Sequence, residues 1–167
     1  MSAYTIGVTG HRKLPKDRIP GITQSVREFF TEVKKEHEEV AVLSPLAEGA
    51  DSLCAKLALN SGLRLIAPLP MSLEEYRVDF SKKAAKELDA LIAGAHEVFS
   101  VSTQEPVPEN PTRGFFYRQS GLYVVNHCDI LLAIWDGLET DTSDGAGTWE
   151  TVKAAQETGK LIRHLTV

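Results

Sequence analysis

Short apolar runs rich in β-branched residues alternate with segments of helical period along this chain of 167 residues, and this alternation restricts its fold more than any other feature. The runs predict strands at 4–9, 40–43, 63–67, 97–101, 130–135 and 161–165. Apolar residues recur at helical spacing in the segments 22–33, 53–57, 80–92, 119–126 and 148–157. Strands separated by helices imply parallel βαβ units. We therefore predict one α/β domain over residues 1–167, with a mainly parallel sheet of about six strands and helices on both faces.

Two connections are too long to be simple turns. Residues 102–116 contain three prolines, and residues 136–147 are rich in Asp, Gly and Thr. Structureless segments of this length inside a compact domain are usually functional or disordered. Both follow a predicted strand, and ligands bind at the carboxyl ends of the strands in open parallel sheets. The binding site is therefore predicted at that edge.

The first candidate turn follows the first strand and contains Gly10, His11 and Arg12. Gly10 allows a tight turn and a close approach of the backbone to a ligand. Arg12 can donate two parallel hydrogen bonds to a phosphate. The pattern is not a nucleotide P-loop, because no G-K-[ST] follows. The alternative is a plain turn with a solvated arginine.

The second candidate turn follows the second strand and contains Glu48, Gly49, Ala50 and Asp51. A helix begins here, and its first-turn amides and positive dipole end attract an anion. Small residues leave room for that anion. The alternative makes Asp51 a helix cap and Glu48 a solvated acid of the first turn.

The third candidate site follows the fifth strand. It consists of Asp136 and of the turn Gly145, Ala146, Gly147 and Thr148, which opens the next helix. Two glycines, a hydroxyl and free amides are typical of an anion-binding turn.

Four further residues near these turns are candidates. Glu150 is either a catalytic carboxylate or a capping-box glutamate that reaches back to the Thr148 region. Arg113, Tyr117 and Arg118 lie where the proline-rich segment enters a helix. They are predicted to close over a phosphate or to stack on a base.

The amino-acid composition limits which binding partners and which cellular compartment we expect for this protein. The chain has 18 Lys and Arg against 23 Asp and Glu, a net charge of −5, and no basic tract. This balance disfavours nucleic acid as a partner. No signal peptide or membrane-spanning segment is expected. Cys54 and Cys128 lack C-x-x-C spacing, so we predict a cytoplasmic protein with reduced thiols, no metal site and no cofactor.

Three segments together resemble the SLOG superfamily, namely IGVTGHR, SPLAEGADSLCAKLAL and GAGTWETVKAAQETGK. Its members have Rossmann-like nucleotide-binding domains and include the LOG phosphoribohydrolases and the DNA-processing protein A family. The resemblance implies a three-layer Rossmann-like sandwich over nearly the whole chain. The turn at 48–51 is similar to the G-A-x-G-x-D element of the DNA-processing branch, and the turn at 145–148 is similar to the family's G-G-x-G-T turn.

The chain departs from the LOG enzymes in one important position. Their P-G-G-x-G-T-x-x-E motif would place the catalytic glutamate at position 151, which is Thr151 here, and Glu150 comes one residue earlier. Neighbouring helical residues are rotated by about 100°. The spacing of Arg118 also differs from that of the LOG arginine. The resemblance to the family therefore supports nucleotide binding by this chain better than it supports hydrolysis.

The leading prediction is a cytoplasmic domain that binds a nucleotide or nucleotide-derived ligand at the carboxyl ends of its strands, with Glu48 or Asp51 facing the ribose hydroxyls. In a strand order 3-2-1-4-5-6, the second and fifth strands would lie roughly 14 Å apart, which requires a nucleotide-sized ligand.

An enzymatic alternative is N-glycosidic cleavage of a nucleoside 5′-monophosphate. Glu150, or failing that Glu48, would stabilise the oxocarbenium-like state. The Asp-rich segment also resembles nucleoside 2-deoxyribosyltransferases, which use a carboxylate nucleophile. A third prediction is a domain that only docks partners. Relatives often form dimers, so we expect a homodimer or higher homo-oligomer, with the helix at 116–125 as the contact.

Overall fold

A computed structural model, which describes residues 2–167, contains one six-stranded sheet in which every neighbouring pair is parallel. Its strands are β1 Tyr4–Gly10, β2 Val40–Leu43, β3 Arg64–Leu69, β4 Glu97–Ser100, β5 Ile130–Trp135 and β6 Leu161–Thr166. The helices are α1 Ile19–Glu36, α2 Ala50–Asn60, α3 Leu73–Arg77, α4 Lys82–Gly94, α5 Arg113–His127 and α6 Thr148–Glu157. The predicted α/β class with a Rossmann-like, three-layer arrangement is confirmed.

The strands lie in the order β4-β3-β2-β1-β5-β6. This differs from the order 3-2-1-4-5-6 considered above, because the fourth strand extends the sheet beyond β3 and the chain reverses only afterwards. Strands β2 and β5 therefore both flank β1, about 10 Å apart rather than 14 Å. The reversal leaves a crevice at the carboxyl ends of β1 and β5, which is the usual place for a ligand in such sheets.

Each face of the sheet is covered by helices with an apolar side. Helices α1, α2 and α4 cover one face, and the predicted apolar stripe of α1 is buried there: Ile22, Val26, Phe29, Phe30 and Val33. Helices α5 and α6 cover the other face, where Val124, Val125 and Ala155 are buried in one cluster with Leu43 of β2 and Leu131 of β5. Strand β2 is buried along its whole length. This burial on both faces explains the continuous apolar runs of the central strands.

Two helical segments differ from the sequence-based expectation. The short helix α3 was not predicted; Ser72 caps it, and Tyr76 is buried against Phe80. Helix α5 begins at Arg113 rather than at residue 119, because the Thr112 side chain accepts a hydrogen bond from the amide of Phe115. The proline-rich connection is correspondingly shorter.

Glycine allows the turn after β1 and the start of α2 to touch through their backbones. A Cβ on Gly49, whose φ is +87°, would lie 2.3 Å from the carbonyl oxygen of His11. A Cβ on Gly10 would lie 2.4 Å from the Cβ of Ala50. The amide of Ala50 donates to that same His11 oxygen at 3.0 Å. The two turns are therefore packed directly on each other.

The substitution Gly49→Ala is expected to destabilise the protein by about 3 kcal/mol or more, since it combines a positive φ with a backbone clash. Gly62→Ala is the matched control, because Gly62 also has a positive φ of +72°, but a Cβ there would meet no atom within 4 Å. The control should lose only about 1 kcal/mol. Urea unfolding of both variants measures the difference, and equal losses would contradict the packing described here.

Candidate functional site

The carboxyl ends of β1, β2 and β5 surround two adjoining cavities. The smaller, of about 80 Å³, is lined among others by Thr9, Arg12, Asp51, Tyr117, Thr148 and Thr151. The larger, of about 350 Å³, is lined among others by His11, Trp135, Asp136, Leu138, Gly147 and Trp149. Both include Gly10, Arg12, Ala146 and Thr148. Residues from all three predicted turns thus meet at one edge of the sheet.

Arg12 lies where the two cavities meet. Its guanidinium carbon is 4.7 Å from the centroid of the Tyr117 ring, a cation–π contact. Within residues 2–167, Arg12 forms no ion pair with a carboxylate. The side chain is exposed. Its charge is therefore held in position by an aromatic ring and can still pair with an anion.

Asp51 is a buried acid in the smaller cavity, with 9% of its surface exposed. Burial raises the pKa of its carboxyl to about 7, although the amide of Ala47 and the charge of Arg12 act in the opposite direction. Asp51 lies inside the first turn of α2, and the N-cap is Gly49 without a side-chain hydrogen bond. The capping alternative for Asp51 is therefore wrong.

Gly49 and Ala50 serve the packing of the turns. Ala50 is completely buried, and its amide is already bonded to His11. Neither residue lines the two cavities. The expectation that they contact a ligand is corrected, because His11 and Arg12 fill the space beside them. Glu48 lines a separate pocket of about 160 Å³ that also includes Arg12.

His11 and Asp136 join the ends of β1 and β5. The amide of Asp136 donates to Nε2 of His11 at 3.2 Å, and the Asp136 Oδ1 accepts from the amide of Leu138 at 2.9 Å. The Leu138 amide and the nearby His11 hold the pKa of the Asp136 carboxyl below its usual value. Both residues line the larger cavity, as predicted for the mouth of the site.

Arg113 lies outside the two cavities and forms an ion pair. Its guanidinium is 2.9 Å from Asp79 Oδ2, and it also donates to the carbonyl of Glu75. The Tyr117 hydroxyl donates to the same Asp79 carboxylate. Burial raises the pKa of Asp79, but these hydrogen bonds outweigh burial and lower it. The prediction that Arg113 closes over a phosphate is therefore corrected: its charge joins α5 to the α3 region.

Arg118 lies outside the two cavities as well. Its guanidinium donates to the carbonyl of Gly145 at 3.2 Å, and the side chain lines a groove on the outer side of α5. Its expected place over the ligand is corrected, because it lies on a different side of α5 from the buried face that carries Ser120 and Val124. Of Arg113, Tyr117 and Arg118, only Tyr117 lines one of the two cavities at the carboxyl ends of the strands.

Glu150 anchors the segment 136–147. Its carboxylate accepts hydrogen bonds from the amide and the hydroxyl of Thr142. Burial raises the pKa of Glu150, but the hydrogen bonds, those of Thr142 foremost, lower it overall. Gly147 leaves room for this carboxylate, because a Cβ there would lie 2.6 Å from Glu150 Oε2. The amide of Gly147, the N-cap of α6, also lowers the pKa of Glu150, which is the contact that the capping-box alternative predicts.

The cavity contains a threonine where the LOG motif has glutamate. Thr151 lines the smaller cavity, whereas Glu150 lines neither. The rotation expected between neighbouring helical positions explains the difference. The catalytic prediction for Glu150 is therefore disfavoured by its geometry.

Asp51→Asn is expected to change the pH dependence of stability. Below about pH 3, Asp51 is protonated in the folded chain and largely protonated in the unfolded chain. As the pH rises to about 7, the unfolded chain ionises at its ordinary pKa of 3.8 while the folded chain keeps the proton, so stability falls. The asparagine variant lacks this loss, so relative to the parent it should gain about 1 kcal/mol at pH 4.5 and roughly 4 kcal/mol by pH 7 to 8. Urea unfolding across that range measures it, and parallel profiles would refute the raised pKa.

Glu150→Ala is expected to loosen the segment 136–147, because it removes both hydrogen bonds to Thr142. Amide hydrogen exchange at Thr142 should accelerate about tenfold or more, since a hydrogen bond to a charged group contributes roughly 1.5–3 kcal/mol. Glu157→Ala, at the exposed end of the same helix, is the control. Unchanged exchange at Thr142 would count against the anchoring role.

Comparisons with known proteins show the fold of this chain. Neither a family model nor a curated protein sequence matches it. DNA processing protein A from Streptococcus pneumoniae is similar, with a TM-score of 0.65 and 23% identity over 97% of this chain and 50% of that protein. The chain thus spans half the length of that relative. The structural-genomics target TM1055 is similar with a TM-score of 0.55 and 11% identity, over 95% of this chain and 72% of TM1055.

A third solved structure corrects one expectation. DNA processing protein A from Helicobacter pylori, described for its single-stranded DNA binding mode, has a TM-score of 0.63 and 18% identity over 98% of this chain and 66% of that protein. A protein with this fold thus binds nucleic acid, so the expectation from the net charge that nucleic acid is disfavoured as a partner was wrong. Net charge averages over the whole surface and does not describe the charge at one site.

In residues 2–167, no helix is long and apolar enough to cross a membrane. At the identities found, the comparisons establish architecture. The resemblance to the SLOG superfamily is confirmed as a resemblance of fold: the chain has the Rossmann-like fold of DNA processing protein A and TM1055.

Proposed function

We propose that this chain binds a nucleotide or a nucleotide-derived ligand at the two cavities around Arg12. One observation carries the proposal: an arginine without an ion pair in the described chain lies at the junction of both cavities, on the sheet edge where such folds bind ligands. Arg113 and Arg118, by contrast, are engaged with Asp79 and Gly145.

The phosphate is expected between Arg12 and the start of α6. Guanidinium groups form paired, charge-assisted hydrogen bonds with phosphate oxygens. Thr148 is the first residue of α6 and lines both cavities, so its hydroxyl and the positive end of the helix favour the same anion. The stack of Arg12 on Tyr117 reduces the entropy that the side chain loses on binding.

The 2′ and 3′ hydroxyl groups of the sugar are expected to enter the smaller cavity, with the rest of the sugar at the junction of the two cavities. Asp51 and Thr9 line the smaller cavity, and both are nearly buried, with 9% of their surface exposed. A carboxyl group can accept hydrogen bonds from hydroxyl groups when it is ionised, and it can both donate and accept when it is protonated. This arrangement supports recognition of a ribose by Asp51 rather than by Glu48, which lines a different pocket.

Binding is the function we propose, and N-glycosidic cleavage receives no specific support. Its candidate carboxylate, Glu150, is bonded to Thr142, and Thr151 occupies the cavity position of the LOG glutamate. A cytoplasmic location and assembly into a homodimer through α5 stay predictions.

Single-stranded DNA is a second candidate ligand, because a protein with this fold from Helicobacter pylori is described as binding it. A single strand of DNA would bring further phosphates into contact with the protein beyond the one at Arg12. Its affinity would therefore fall steeply with salt, with a slope of about 0.7 per phosphate contacted, whereas a mononucleotide would show the slope of a single contact.

Arg12→Ala is expected to weaken binding of nucleoside 5′-monophosphates about 10- to 100-fold, since it removes a charge-assisted pair. Isothermal calorimetry with AMP, GMP, CMP and UMP measures this, and an oligo-dT strand tests the second candidate in the same assay. Arg27→Ala is the control, because Arg27 is exposed on α1 and lines neither cavity. If all four nucleotides and the strand give no heat with the parent protein, the proposed function is refuted.

A further inference from the structure

Both tryptophans of the chain lie in one pocket. Trp135 ends β5 and Trp149 lies in the first turn of α6, and both line the larger cavity. Their rings are stacked, with centroids 5.9 Å apart and planes inclined by 11°. Trp135 is buried, whereas Trp149 is partly exposed. Concentration of the largest aromatic residues beside a cavity gives it a flat, apolar wall.

The other parts of this pocket, which we call the tryptophan pocket, are also suited to a ring. Leu138 lines it and keeps 63% of its surface exposed, an unusual position for a large apolar side chain. His11 and Asp136 line it too and add polar groups near the aromatic wall. Thr140, Thr142 and Thr148 line it as well, so the pocket combines an aromatic wall with several polar side chains that can fix the orientation of a ligand.

Size distinguishes the tryptophan pocket from the smaller cavity. At about 350 Å³ it falls in the usual range for small-molecule sites, roughly 300–1,000 Å³, whereas about 80 Å³ does not. The two cavities share Arg12 and Thr148. A ligand with its phosphate at Arg12 can therefore extend into the tryptophan pocket without crossing protein.

We propose that the tryptophan pocket binds the aromatic base of the ligand, with Trp149 as the residue that selects base-bearing nucleotides over phosphosugars without a base. This inference rests on the proposed function. It adds a site for the base, which is the part of a nucleotide that offers most of the apolar surface for contact with the protein. Stacking of a base on an aromatic side chain contributes about 1–3 kcal/mol, which corresponds to roughly 5- to 150-fold in affinity.

Tryptophan fluorescence reports on this pocket alone, because the chain contains only these two tryptophans. The unaltered protein is titrated with AMP and with ribose 5-phosphate, which has the same phosphosugar without a base. Fluorescence excited at the red edge of tryptophan absorption and calorimetry are recorded in parallel. We expect AMP to change the fluorescence and to bind at least about fivefold more tightly than ribose 5-phosphate.

Trp149→Leu keeps apolar volume and removes the ring. We expect it to lose the preference for AMP while its affinity for ribose 5-phosphate stays that of the parent, and Phe115→Leu on the outer side of α5 should change neither. The comparison of the two ligands on the unaltered protein does not depend on the folding of either variant.

The outcomes separate the two proposals. Equal affinities for ribose 5-phosphate and for each of the four nucleoside 5′-monophosphates, with unchanged fluorescence, would overturn the base pocket and leave phosphate binding at Arg12 intact. The absence of binding for both ligands would overturn the proposed function and this inference together. Repeating the titration with GMP, CMP and UMP decides the same question for the other bases, and a preference shown by any of them over ribose 5-phosphate supports the base pocket.

Discussion

The backbone of His11 joins the three parts of the molecule that build the site. Its amide donates to the carbonyl of Ile134 at 3.1 Å, and its carbonyl accepts from the amide of Ala50 at 3.0 Å. The end of β1 is thereby bonded to β5 on one side and to α2 on the other. Glycine at positions 10 and 49 is required for this approach, since a Cβ at either would overlap backbone or Cβ atoms. Arg12 is held at the junction of the cavities because it is the next residue after His11 in the chain.

Charged side chains around the two cavities divide into those that are bonded to other parts of the protein and those that line the cavities. Arg113 forms an ion pair with Asp79, and Glu150 accepts a hydrogen bond from Thr142. Both side chains therefore bind residues that lie outside their own helices. Arg12 has the face of Tyr117 beside it. The charged groups that line the cavities are Arg12 and the acids Asp51 and Asp136, so the local field depends on these few groups and not on the net charge of the protein.

Local patterns in the sequence were sufficient to predict the strands, most of the helices and the edge that carries the site. Apolar periodicity reports burial directly, and glycine-rich turns after strands fall at one edge in any parallel sheet. The order of the strands could not be predicted in this way. The sequence of the connection after β3 would look the same whether β4 pairs with β3 or lies beside β1. The packing of α4 beside α2 places β4 next to β3, and this packing involves residues distant in sequence.

The roles of individual charges were beyond sequence reasoning for a related reason. Arg113 and Asp79 are 34 residues apart, and no local signal connects them. The same holds for Asp51, whose raised pKa depends on burial by surrounding elements. The tryptophan pocket was missed because Trp135 and Trp149 belong to different elements, separated by the long segment 136–147.

The central claim is that distant turns form one ligand site around Arg12. Nuclear magnetic resonance of the ¹⁵N-labelled protein, titrated with AMP, tests it most directly. The account predicts that amide shifts concentrate in residues 9–12, 47–51 and 146–151, with the β4 edge of the sheet unchanged. Saturable shifts confined to any other surface, with these three segments unaffected, would contradict it.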